Sequence, residues 1–158
     1  MVSWGQLRQA RPDLENAGRG RFYQFGVGLA FLATVRPDGG PRLHPMCPVI
    51  DGDELYALLI PSPKRDDLHR DGRYAMHSFP ADDNEDAFSI RGSATAVRDA
   101  GVRDVVGRRF LEERKWSEPP TDFDEQELFA FDIESCLLTT TTGHGDPHPT
   151  HTVWHAPV

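Results

Sequence analysis

The sequence predicts a mainly β domain, a small antiparallel barrel with appended helices. Short apolar segments recur between tight-turn signals, above all at Asp38-Gly39 and Asp51-Gly52. Glycine takes the positive φ of such turns without steric cost, and connections this short impose antiparallel pairing. The order of elements, a meander of strands, then a helix, then more strand, fits a barrel better than a doubly wound sheet. A dinucleotide fold would also need G-x-G-x-x-G straight after a strand. "GRGRFY" (Gly18–Tyr23) lacks the third glycine and follows no strand.

The elements follow in chain order. Pro12 suits the first turn of a short helix, and Gly18 or Gly20 suits its stop. "GVGLAFLATV" (26–35) is nearly all apolar and rich in Gly and Val, which predicts a buried strand. "RPDGGP" turns the chain, and 42–50 is the returning strand. Pro45 and Pro48 cannot donate to a ladder, so this strand is expected to be irregular or at an edge. A third strand covers 54–60, a short charged helix 64–71, and two further strands 73–79 and 87–97. Asp99 is placed to cap a helix over 100–116, with Val102, Val105, Val106 and Phe110 as its apolar stripe. Pro119 and Pro120 prevent its continuation. "ELFAFDIESCLLTTT" alternates at Phe129, Phe131 and Ile133, the pattern of a half-buried strand, and 149–156 adds a last short one.

Composition narrows the function. The 158 residues predict one domain, 1–158, long enough to bury a core unaided. The net charge of −8 speaks against nucleic acid, whose binding needs many phosphate-neutralising cations. The acidic stretches "ADDNED" and "SEPPTDFDEQE" read as solvated loops. No apolar stretch approaches the ~20 residues of a membrane span, and the N-terminus carries no signal-peptide core, so a cytoplasmic protein without membrane contact is expected. Cys47 and Cys136 have no paired spacing and read as small core fillers.

One short stretch carries chemistry. In "IPSPKRDDLHRD" a hydroxyl and an ammonium, Ser62 and Lys64, stand between a strand and a helix. A phosphomonoester calls for a cation, directed donors and the positive end of a helix dipole, and S-x-K offers all three. The alternative is a surface turn in which Ser62 merely caps the helix. The four C-terminal histidines, His144, His148, His151 and His155, lie among prolines and glycines without a compact ligand pattern, and no metal site is expected there. Trp154 reads as a buried ring. No nucleophile with a positioned base is legible, so no catalytic residue is assigned.

The ordered set "LAFLATVRPDGGPRLHPMCPV", "LYALLIPSPKRDDLHRDGRYAMH" and "FSIRGSATAV" resembles the pyridoxamine 5′-phosphate oxidase-like superfamily, over about Ala30 to Val97. The resemblance implies a split β-barrel of antiparallel, Greek-key type that pairs into a homodimer around FMN and exchanges hydride or electrons with a small-molecule substrate. It implies that Ser62 and Lys64, with Arg65 or Arg42 in support, hold the phosphate. His44, Pro45, Met46 and Cys47 would run along the ring and side chain of the cofactor, and Leu58 and Leu59 would line the same site. The sequence departs from the oxidases themselves at three places. They carry an arginine at His44, a substrate-gripping lysine at Val49, and arginine at Pro63 within S-R-K. Pyridoxamine phosphate is therefore not the expected substrate. A deazaflavin is the alternative cofactor on the same fold, and a flavin or haem carrier without turnover is the alternative function.

Overall fold

The computed structural model describes residues 1–157. Eight antiparallel strands form one sheet: β1 (Ala30–Val35), β2 (Pro41–Met46), β3 (Pro48–Asp51), β4 (Glu54–Leu59), β5 (Arg73–Ser78), β6 (Ala87–Ala96), β7 (Glu127–Thr140) and β8 (Thr150–His155). Their order is β2-β1-β5-β6-β7-β4-β3, with β8 added to β7. The two ends of that order, β2 and β3, are separated along the chain by Cys47 alone. One extended segment therefore pairs with β1 at its start and with β4 after its break, and the sheet has to curl round to allow both.

The break lies where the sequence places prolines. The expected single strand over 42–50 is two strands, because Pro48 has no N–H to continue the ladder. The turns fall as predicted, with Gly39 at φ 83° and Gly52 at φ 58°. The first strand begins at Ala30 rather than at Gly26. Gly28 lies hard against the chain after the break: a Cβ there would sit 1.9 Å from the Pro48 carbonyl oxygen.

The long β7 is shared along one edge. Residues 127–130 pair with β4 and residues 135–140 with β8, and Val2 bridges Ile133 in the gap between them. Two N-terminal helices, α1 (Trp4–Ala10) and α2 (Pro12–Phe22), follow from that gap. Their Trp4, Leu7, Leu14 and Phe22 are fully buried in the main core with Leu32, Phe88, Phe131 and Ile133. The sequence reading assigned nothing to 4–10, where Ser3 and Gln6 form a reciprocal capping box. It also ended α2 too early. The helix passes Gly18 because that residue packs directly on the Phe88 ring, where a Cβ would meet it at 2.5 Å.

Helix α3 (Pro63–Arg70) seats Leu68 in the same core. Helix α4 (Ala100–Arg114) is capped by Asp99, whose carboxylate accepts the Val102 N–H at 3.0 Å. It ends before Trp116, with Lys115 in the left-handed conformation. Val106 and Phe110 bury against Val49, Leu58 and Leu128, forming a second, smaller core, whereas Val105 points outward at 45% exposure and leaves the expected stripe. "SEPPTDFDEQE" is not wholly solvated. Its Phe123 is buried under α4 in a 3-10 turn. No helix among the described residues is long and apolar enough to cross a membrane.

Candidate functional site

Alternation along the strands sorts the expected residues by face. Residues paired across an antiparallel ladder share a face. One row therefore reads Pro45, Phe31, His77, Ser89, Leu137, Val153, and the next reads Leu43, Ala33, Ala75, Arg91, Ser135, His155. Both lie on the outside of the curled sheet. Most of their residues are partly or fully open to solvent, with Leu43 at 63% and Val153 at 55% exposure, whereas Ser135 is buried. Arg42, His44 and Met46 point to the other side, and Met46 is buried in the main core.

The Ser62–Lys64 stretch sits where β4 runs into α3. Ser62 is the N-cap residue of α3 by position, but its hydroxyl does not cap the helix. It donates instead to the Ile60 carbonyl at 2.9 Å. The Lys64 ammonium is half-buried. Burial lowers its pKa, and the neighbouring Cys47 side chain offsets this in part. Among the described residues no carboxylate forms an ion pair with Lys64, which leaves a partly desolvated cation. That arrangement fits a phosphate.

The neighbouring arginines differ. Arg65 donates to the Glu125 carbonyl at 3.0 Å and lies 3.9 Å from Glu127, whose carboxylate also meets His69 at 2.7 Å. Arg42 donates to Asp67 at 2.7 Å. Asp67 is buried at 1% exposure on α3, and it also accepts from Thr34 at 2.9 Å and from Arg70 at 3.1 Å. Burial alone would raise this carboxyl, and the bonds from Arg42, Thr34 and Arg70 outweigh it and hold the group below the ordinary range. The sequence reading missed Asp67, which ties the helix after Ser62 to β1 and β2.

Sequence comparison is silent here: no family model and no curated protein matches. Solved structures do match. An F420 reductase superimposes with a TM-score of 0.58 at 23% identity, over 68% of this chain and 87% of that one. A candidate pyridoxamine 5′-phosphate oxidase from Listeria innocua gives 0.63 at 17%, over 80% and 98%. The haem storage protein HutZ from Vibrio cholerae gives 0.57 at 16%, over 78% and 89%. With the strand order and the break at Cys47, these decide the architecture. The chain is a split β-barrel.

In this split barrel the remaining expected residues fall apart from one another. Leu59 is in the main core, and Leu58 lies under α4 with Val49, so neither side chain faces open space. Cys47 is half-buried at the edge of the α4 cluster, within electrostatic reach of Lys64. His44 is half-buried and Pro45 exposed. Cys136 is core, and burial pushes its thiol up to about 11. Trp154 packs partly buried against the main core. Among the described residues no three His, Cys, Asp or Glu side chains gather as a metal site would require. A groove of about 320 Å³ runs over the outer face between Ala75, Arg91, Val153 and His155. It includes none of the residues expected to bind a cofactor.

Proposed function

We propose that the split barrel binds a phosphate-bearing flavin, FMN or a deazaflavin, with Lys64 at the phosphate, and serves as an oxidoreductase for a small molecule. The carrying observation is the placement of Lys64 in the first turn of α3, half-buried and without an ion-pair partner among the described residues. A partly desolvated cation gains far more from a phosphate than an exposed one does. The start of α3 lies at the same point and adds the positive end of its dipole. The bound flavin supplies the hydride or electron chemistry. Lys64 balances charge on the phosphate, Asp67 fixes the helix that carries Lys64, and Cys47 lies within electrostatic reach of the ammonium.

Lys64→Ala is expected to weaken FMN by roughly ten- to a hundredfold, the equivalent of about 1.5–3 kcal/mol for a charged hydrogen bond. Riboflavin has the same ring and no phosphate, and its affinity should barely change. Equal losses for both ligands would move Lys64 from the phosphate to the fold. The absorbance spectrum of the purified protein separates oxidised FMN from a deazaflavin, and a Soret band would point to haem instead.

We also propose that the functional unit is a homodimer joined through the outer face. Its rows mix exposed apolar side chains such as Leu43 and Val153 with Arg91 and His155, a composition suited to covering by another protein surface. A twofold pairing would place two equivalent sites in each particle. Light scattering at micromolar concentration should return twice the chain mass of 17.7 kDa. A single-chain mass would remove the dimer from the proposal.

A further inference from the structure

Strand β8 leaves one edge of the sheet open. Ala156 donates its N–H to the Glu134 carbonyl at 2.8 Å, and Ser135 stands opposite His155. In an antiparallel ladder this fixes the alternation. Thr150, Thr152 and Trp154 exchange bonds with β7, and His151, Val153 and His155 direct their N–H and C=O groups away from it. Among the described residues no backbone group of another element bonds to those outward groups, and all three residues are exposed. The strand also lacks the devices that usually blunt an edge: 150–155 has no lysine, no proline and no register shift.

We infer that this edge pairs with the β8 edge of a second copy, antiparallel about a twofold axis through Val153. That register sets Val153 against the partner's Val153, and His151 against the partner's His155. Each such pair exchanges two hydrogen bonds, so every outward N–H and C=O of both copies is satisfied. Between these pairs Trp154 meets the partner's Thr152, an aromatic ring against a β-branched side chain. Charge selects the same occupant. The chain carries −8, yet 147–157 has no Asp, Glu, Lys or Arg. A charged strand finds no counter-charge at this edge, and a second copy brings no charge that needs one. Pro149 and Pro157 end the pairing on both sides. A contact this short buries less than the roughly 1,000 Å² of a stable interface, so the expected dissociation constant is about 100 µM. The contact is separate from the outer-face dimer and adds to it only on concentration.

Sedimentation and backbone amide exchange of the full chain, at about 10 µM and about 500 µM, test this. The particle mass should rise above its dilute value at the higher concentration. There the amides of His151, Val153 and His155 should exchange about threefold more slowly, and those of Thr152 and Trp154, bonded to β7, should be slow at both. Val153→Pro removes one outward N–H and leaves the bonds to β7 in place, so the folded variant should lose the concentration dependence. A mass unchanged at the higher concentration overturns the inference. So does equally fast exchange at His151, Val153 and His155 under both conditions, or a folded Val153→Pro protein that associates like the wild type. The wild-type exchange measurement decides the matter even where the variant does not fold. A single-chain mass in the dilute sample would count against the outer-face dimer and not against the edge.

Discussion

Asp67→Ala is expected to destabilise the protein by about 3 kcal/mol, the scale for breaking a buried ion pair from one side. The carboxylate is the common acceptor for Thr34, Arg42 and Arg70. Removing it leaves the 3%-exposed Thr34 hydroxyl without its acceptor, which alone costs about 1–3 kcal/mol. The two arginines are less of a burden, because Arg42 and Arg70 keep 25% and 38% of their side-chain surface in water. Urea unfolding at pH 7 measures the loss. The pH dependence has a definite sign. A carboxyl whose folded pKa is depressed stabilises fully above its unfolded value of about 3.9, and the benefit is lost as pH falls through the folded value. The gap between wild type and variant should therefore close progressively below about pH 4. A gap that persists unchanged at pH 2 would mean that packing, not charge, is what Asp67 supplies. If Lys64 holds a flavin phosphate as proposed, the same variant should also loosen FMN, since α3 would no longer be tied to β1 and β2.

Gly92→Ala is expected to cost about 3 kcal/mol or more, or to abolish soluble expression. Gly92 stands at the register shift where β6 bends against β7. A Cβ there would lie 1.9 Å from the Asp132 carbonyl oxygen, 2.9 Å from its carbon and 3.0 Å from the Glu134 nitrogen. All three atoms are backbone in the most extensively paired strands of the sheet, so none of them can turn aside as a flexible side chain would. The bulge lets β7 change direction between its pairing with β4 and its pairing with β8. Ser93→Ala, one residue on and half-exposed, serves as the control and should stay within about 0.5 kcal/mol. A Gly92→Ala protein with the wild-type urea midpoint would show that the two strands can separate at this point.

The sequence by itself determined the local features whose causes lie within a few residues. The Asp38-Gly39 and Asp51-Gly52 turns, the Asp99 cap and the alternation at Phe129, Phe131 and Ile133 are short-range matters of φ, hydrogen bonding and pleat. The ordered strands and turns around S-x-K were enough to imply a split barrel. The signal for α1 is equally local, since Ser3 and Gln6 form a capping box within four residues. Other features depended on partners far along the chain. Gly18 and Gly20 are helix-stopping residues by propensity, yet α2 runs on to Phe22 because Phe88 packs against the bare backbone at Gly18. Val105 matched the apolar period of α4 and still faces solvent, because β3 and β4 meet the helix along Val106 and Phe110. The candidate site divides in the same way. Ser62 and Lys64 were readable as a pair, since they are neighbours. Which cations remain free was not, because Arg42 is neutralised by a residue 25 positions on and Arg65 by groups some 60 positions on. Charge pairing follows distance in space, and only the curled sheet brings those partners together.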